Sequence, residues 1–311
     1  MTQVTVHVPA TTANLGPGFD CLGLALDLWN QATFIEEGEG LHIKIRGEGA
    51  GLLSADDRNM VVRAMMRFYQ ARGATFPTGL TILCDNHIPI GAGLGSSAAA
   101  IAAGLLGANA LLGSPASKEE LLRMAVALDG HPDNVTCTLS GGLTMVTILG
   151  EGILASQMAV PPLMVALAVP AIHLPTQVAR AVLPREVPLS DAVFNISRTA
   201  FVIEALRNGN LAMLGKVMED RLHQPYRMKL IPGAEEAFAS ARQAGAMAVA
   251  LSGAGPSIIA FAPVEDAANQ AQLISEAMVI AFEHASIQAR GLVLSLSKKG
   301  SCVSTQVSST G

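Results

Sequence analysis

Apolar and polar residues alternate along Val4-Thr5-Val6-His7-Val8 and again along Leu41-His42-Ile43-Lys44-Ile45, the period of a half-buried strand. Residues 1–35 read as two strands around a turn-rich centre, Pro9 to Asp20, in which Asn14 and Asp20 are polar groups among small and apolar neighbours. After Asn59 the apolar positions change period. Val61, Val62, Met65, Met66 and Tyr69 fall at helical spacing and predict a helix that ends near Gly73. The apolar run Leu80–Leu83 reads as a strand, and the Ala/Leu segment that reaches about Leu112 as a long helix. Ser117 has Glu120 three residues on, a capping box that opens a helix through Leu128. Gly141-Gly142 then lead into a strand over Leu143–Leu149.

A Pro-containing connector at 157–162 marks the expected domain boundary, giving units 1–158 and 159–311. Beyond it the pattern predicts a strand over Leu163–Val169 and a short helix carrying Thr176 and Arg180, stopped by Pro184 and Pro188. Helices follow over Ser190–Asn208 and Asn210–Leu222, then a helix ending near Ala244 and a strand over Ile258–Phe261. The uncharged stretch from Gln243 to Val264 has the length of a membrane span. Gly245, Gly253, Gly255 and Pro256 interrupt it, and a pair of strands or a helix–turn–strand around a loop fits better. The Ser/Thr-rich stretch from Ser301 reads as a tail with a frayed end.

Composition narrows the functional classes. At 311 residues, 50% apolar and 14% charged, the chain can bury a large core, and two domains are expected. A net charge of −5 without a basic cluster, together with one Trp and two Tyr, argues against nucleic acid as a main partner. Cys21, Cys84, Cys137 and Cys302 form no CxxC pair, so buried thiols in a reducing compartment are expected rather than zinc or a disulfide framework. No basic n-region or transit-like segment opens the sequence. The reading is a cytoplasmic protein with no membrane partner; its oligomeric state stays open, a homodimer being one candidate.

The chemistry centres on Pro89-Ile90-Gly91-Ala92-Gly93-Leu94-Gly95-Ser96-Ser97-Ala98-Ala99. Glycines at every second position let the backbone bend and bring bare N–H groups to a ligand, and the serines stand where a helix begins. A helix N-terminus attracts phosphate, so the segment reads as a phosphate cradle, with a serine-capped flexible turn as the bland alternative. It is not a Walker A loop, since no lysine occurs between Lys44 and Lys118. It is not a dinucleotide fingerprint either, because Ser96 stands where the third glycine belongs. Gly95-Ser96-Ser97-Ala98-Ala99 nearly matches a serine-hydrolase elbow, which keeps a hydrolase using Ser97 as a rival.

Other polar groups recur where apolar ones would be easier to bury. Asp129-Gly130-His131-Pro132-Asp133-Asn134 lies between apolar runs, as a ligand cluster or as a helix C-cap with a turn. Thr176 and Arg180 share one helix face and can aim at one target, or serve as a cap and a solvated arginine. Arg227 gains interest only in company with Arg180. Ala250–Ser257, with Ser252, Gly253 and Gly255, is a second small-residue loop able to approach phosphates. Asn14 and Asp20 can be turn formers or ligand contacts.

Three of these segments in this order, Pro9–Asp20, Pro89–Ala99 and Leu251–Ser257, resemble the signature motifs of the GHMP superfamily of small-molecule kinases. Pro-Ala-Thr-Thr-Ala-Asn-Leu-Gly-Pro-Gly-Phe-Asp at the start, His-Pro-Asp-Asn at 131–134, Thr-x-x-x-Arg-x-x-Leu-Pro at 176–184 and Asp-Arg-x-His-x-Pro-x-Arg at 220–227 are most similar to its homoserine kinase family. The resemblance implies an α+β fold, with an N-terminal domain like the second domain of ribosomal protein S5 and a C-terminal ferredoxin-like domain. It implies ATP, Mg²⁺ and L-homoserine as ligands, for threonine biosynthesis. Pro89, Gly91, Ala92, Gly93, Leu94, Gly95, Ser96, Ser97 and Ala98 would wrap the nucleotide phosphates, joined by Ser252, Gly253 and Gly255, with Asn59 near the adenine. Asn14, Asp20, His131, Asp133, Asn134, Thr176, Arg180 and Arg227 would surround the amino acid. Ser97 and Asp129 would hold the metal, and Asn14, Asp20, Ser97, Asp129 and Arg180 would form the catalytic set. The family usually carries glutamate where this chain has Asp129, one methylene shorter, so a ligand reaching Mg²⁺ through water is expected. Val135–Leu139 is also more polar than the family's Ala-Pro-Ala run. The family is thought to transfer phosphate without a dedicated base, which places Asp20 in binding and leaves the proton acceptor open.

Overall fold

The computed structural model describes residues 2–150 and 152–307. Two antiparallel-rich sheets, each covered by helices, make up the chain. The first contains β1 (Thr2–Ala13), β2 (Leu22–Ile35), β3 (Gly40–Gly47), β4 (Gly79–Asn86), β5 (Leu143–Leu149) and β6 (Gly152–Met158). β2 bridges two partners: its end, Gln31–Ile35, pairs with β4, and its beginning, Leu22–Leu24, pairs with β5. On this sheet lie α1 (Met60–Ala71), α2 (Ser96–Leu111), α3 (Lys118–Asp129) and α4 (Pro132–Ser140). α2 is apolar on all sides and packs against β1, α1, α3 and α4, so its N-terminus is fixed from several directions.

The second sheet is formed by β7 (Met164–Pro170), β8 (Ala248–Leu251), β9 (Ile258–Phe261) and β10 (Ala289–Ser295), in the order β10-β7-β9-β8, every pair antiparallel. α9 (Ala234–Gln243) and α10 (Ala267–His284) cover it. With the strands numbered from β7 the order is 4-1-3-2, the ferredoxin-like arrangement expected for this half. Between β7 and β8 the chain runs through α5 (Thr176–Ala181), α6 (Leu189–Asn208), α7 (Leu211–Val217) and the single turn α8 (Gln224–Arg227). No helix among the described residues is long and apolar enough to cross a membrane, and 243–264 forms the β8–loop–β9 pair.

Several elements differ from the sequence-based expectation. The helix expected to run to Leu222 stops at Val217, because the Asp220 carboxylate accepts the backbone N–H groups of Leu222, His223 and Gln224 at 2.9, 3.0 and 2.6 Å and so starts α8 instead. The polar run at 129–134 is a left-handed turn at Gly130 followed by a new helix, with Pro132 in the first turn of α4. The stretch read as a tail contains β11 (Cys302–Val307), which pairs antiparallel with β1 from Thr2↔Val307 to His7↔Cys302. The Ser/Thr side chains that suggested disorder suit an edge strand. Residues 302–307 thus belong to the first sheet, and Cys302 is exposed rather than buried. The expected frayed end at 308–311 lies outside the described residues.

Candidate active site

The segment from Gly91 to Ser97 runs between two cavities. One, of about 350 Å³, is lined by Asn14, Ser97, Asp129, His131, Asp133, Asn134, Thr176, Arg180, Arg227 and the Gly253–Gly255 backbone. The other, of about 390 Å³, is lined by Arg58, Asn59, Asn86, Ile90, Ser96 and Ala100. Gly91, Ser96 and Ser97 border both. A phosphate chain crossing from one to the other would pass over the α2 N-terminus and its bare N–H groups.

The loop owes its shape to contacts with the first and third motifs. Gly93 has φ +74°, and a Cβ there would lie 2.1 Å from the Ser252 carbonyl oxygen, so only glycine fits. Ser252 Oγ donates to the Gly93 carbonyl at 2.8 Å, with Thr12 Oγ1 at 2.9 Å. Ser252, expected at the nucleotide, is therefore buried with its hydroxyl engaged, and it lines neither cavity. The same holds for Leu94, which belongs to the core, and Pro89 borders neither cavity. Asn59 lines the second cavity, but its side chain caps α1: Oδ1 accepts from Val61 N at 3.0 Å and Nδ2 donates to the Ser54 carbonyl at 2.7 Å.

In the first cavity, residues distant in sequence meet. Arg180 makes two bonds to Asp20, Nη1 to Oδ2 at 3.0 Å and Nη2 to Oδ1 at 2.5 Å, a bidentate pair. Asn14 donates to the Gly253 carbonyl at 2.7 Å and accepts from Asp20 N at 3.0 Å, fixing the turn before Asp20. Arg227 is 1% exposed; Nε donates to the Ala179 carbonyl at 3.2 Å and Nη1 to the Gly253 carbonyl at 3.3 Å. Burial, and then Arg180, pull its pKa down to about 10, which still leaves it charged. Asn134 is held by Thr11 Oγ1, which donates to its Oδ1 at 2.7 Å. Ser97 Oγ donates to Asp129 Oδ1 at 3.2 Å. Burial holds the Asp129 carboxyl above the usual range, and burial with Arg180 holds His131 below its own.

Phe19, Thr11 and His223 were not identified as site residues from the sequence. Phe19 lies under both guanidinium groups, with Arg180 and Arg227 centred 5.4 and 5.0 Å from its ring. Its signal was its place in the first motif beside Asp20; that two arginines more than 150 residues away converge on it is a tertiary fact.

Family models agree with this architecture: the GHMP kinases N terminal domain matches residues 59–142 and the GHMP kinases C terminal matches residues 202–279. The homoserine kinase of Moorella thermoacetica is 48% identical over 257 residues, covering 82% of this chain and 86% of its own. That of Parasynechococcus marenigrum is 44% identical over 310 residues, covering 96% and 95%. The chain belongs to the homoserine kinase family. The crystal structure of homoserine kinase from Cytophaga hutchinsonii superposes with a TM-score of 0.85 at 30% identity, covering 97% of both chains. As a homoserine kinase family member the chain is an ATP-dependent phosphotransferase with an alcohol acceptor, which sets aside the hydrolase reading of Ser97.

Asp133 is the most perturbed carboxyl in this site. It is 2% exposed, and burial, reinforced by Asp20, raises its pKa from 3.8 to about 7 although Asn134 N donates to it at 2.7 Å. Below about pH 4 both folded and unfolded chains carry this proton. Between about pH 4 and 7 only the folded chain keeps it, so stability falls as pH rises through that window and stays lowered above it. Asp133→Asn keeps an acceptor for Asn134 and removes the buried charge. It is expected to raise stability at pH 8 by about 2–4 kcal/mol, the gain shrinking toward pH 5. Thermal melts of both proteins from pH 5 to 8 check this; a gain independent of pH would contradict it.

Proposed function

We propose that the chain transfers the γ-phosphoryl of MgATP to the side-chain hydroxyl of L-homoserine, giving O-phospho-L-homoserine and ADP. The observation that carries this reading is the charge pattern of the first cavity. Two guanidinium groups, Arg180 and Arg227, line it with the buried Asp133 beside a phosphate loop, and Asp20, outside the lining, is bonded to Arg180. An α-amino acid carries both charges, so its carboxylate suits the arginines and its ammonium suits Asp20 and Asp133. Binding then substitutes for part of the Arg180–Asp20 pair, each partner exchanging one internal contact for one to the substrate. Asn14, Asn134 and His131 border the same space and are assigned to the substrate's polar atoms, and Thr176 to its rim.

ATP is assigned to the second cavity, with its phosphates along 91–97. Ser97 and Asp129 supply two hard oxygens 3.2 Å apart, a set that suits Mg²⁺, which keeps several waters and shares phosphate oxygens. When bound, the ion neutralises charge on the β- and γ-phosphates. The chain's own contribution is alignment: the loop N–H groups and the α2 N-terminus hold phosphate, and the arginines hold the acceptor so that its hydroxyl meets the phosphoryl in line. Transfer of this kind depends on positioning and charge neutralisation, so the reading needs no dedicated base.

ADP release with MgATP against L-homoserine, its des-amino analogue, L-serine, mevalonate and no acceptor tests the assignment. Release is expected to require L-homoserine, with the des-amino analogue at least tenfold poorer in kcat/KM. Equal turnover of the des-amino analogue would remove the ammonium site from the reading.

A further inference from the structure

Arg227 is buried, yet among the described residues no carboxylate pairs with it; its side-chain hydrogen bonds go to two carbonyls and one ring nitrogen, and Nη2 has no hydrogen-bond partner there. That ring belongs to His223, which is 0% exposed. His223 Nε2 lies 2.8 Å from the Gly16 carbonyl oxygen, and Nδ1 lies 3.2 Å from Arg227 Nη1. A carbonyl only accepts and a guanidinium only donates, so the two neighbours require the neutral ring with its proton on Nε2 and a bare Nδ1. We infer that His223 is a positioning residue for substrate recognition: through Nδ1 it holds the Arg227 guanidinium at the angle at which Nη2 meets the substrate's carboxylate.

The inference rests on the amino-acid reading of the first cavity given above. His223 is itself fixed on every side. Phe19 stacks on it with ring centroids 5.0 Å apart and planes 22° apart. Its backbone N–H is taken by Asp220 Oδ2 at 3.0 Å, and the next residue, Gln224, accepts from Leu251 N at 2.7 Å. The charged groups around the ring are Asp220, whose Oδ2 is 3.5 Å from Nε2, Arg227, and, beyond Phe19, Asp20 and Arg180. Burial outweighs the attraction of Asp220, and the ring's pKa is pushed down to about 4, consistent with a bare Nδ1 at neutral pH. The arrangement links the first motif (Gly16, Phe19) to Arg227 through one imidazole, and it gives the histidine of the 220–227 pattern a task distinct from ligand contact.

Two variants of equal charge separate the ring's two bonds. His223→Gln places an N–H where Nε2 was and removes the acceptor for Arg227; His223→Asn places an oxygen acceptor where Nδ1 was and removes the donor to Gly16. Steady-state kinetics and melting temperatures are measured for both, alone and combined with Arg227→Met. For His223→Gln the expected result is a 10- to 30-fold rise in KM for L-homoserine, with kcat within threefold and KM for ATP unchanged. His223→Asn is expected to recover the homoserine KM to within threefold of wild type even where its melting temperature is lower. In the Arg227→Met background, His223→Gln is expected to add no further rise, since the group it positions is gone. Equal KM values for the two variants, or a rise that persists without Arg227, would overturn the inference, as would effects that track melting temperature alone. Wild-type protein without homoserine-dependent turnover would sink the amino-acid reading and this one with it, whereas wild-type turnover with an unchanged KM in His223→Gln sinks this one alone.

Discussion

Arg227→Met is expected to lower kcat/KM for L-homoserine by about 10²–10³ while shifting the melting temperature by only a few degrees. The two effects separate because the residue's stability and binding terms oppose one another. Burying a guanidinium is costly, and an apolar side chain of similar length removes that cost together with the bonds to Ala179, Gly253 and His223. The substrate's carboxylate has no such compensation: it enters a desolvated pocket and loses a charge-assisted partner, a loss of about 2–5 kcal/mol in complexes of this kind. Steady-state kinetics with calorimetry checks both halves. An unchanged homoserine KM would remove Arg227 from the carboxylate site, and a large drop in melting temperature would show the buried charge to be structural.

Gly93→Ala is expected to destabilise the fold by about 2–4 kcal/mol and to raise the KM for ATP at least tenfold. A left-handed backbone costs an L-residue about 1 kcal/mol, and the added methyl would stand 2.1 Å from the Ser252 oxygen and 2.8 Å from that of Gly255. The third-motif loop must move, and it carries Gly253, to which Asn14 and Arg227 are bonded. Gly91→Ala is the control: its φ is +65°, but the nearest atom to its Cβ is His173 Nδ1 at 4.0 Å, so only the backbone term remains. Denaturant melts and nucleotide titrations of the two variants measure the difference. If Gly93→Ala is no worse than Gly91→Ala, the contact between the two loops is soft and does not set the cradle's shape.

What the sequence disclosed was what local chemistry decides. The capping box at Ser117 is present with both of its bonds, and Asn59 caps α1, because each involves residues within three positions of one another. The phosphate loop was legible for the same reason: its glycines and serines mark a turn and a helix start wherever the chain goes next. The Arg180–Asp20 pair joins residues 160 positions apart, and no spacing rule reaches so far. The family resemblance assigned both groups to the substrate, and in the structure they also hold each other. Ser252 illustrates the opposite case. A serine in a glycine loop beside a phosphate site invites a ligand role, but its hydroxyl is spent on the neighbouring loop's carbonyl. α10 and β10 lay in stretches whose apolar positions follow neither period cleanly, since both elements are packed against one another and against the sheet.

The pairing of β11 with β1 has a temporal side. Val307 is made roughly 300 residues after its partner Thr2, about 15–60 s at ordinary rates of synthesis. Throughout that interval β1 has β2 on one flank and an open row of N–H and C=O groups on the other, an edge on which foreign strands can add. The nascent chain therefore carries an open template through that interval, and β11 is the strand that closes it.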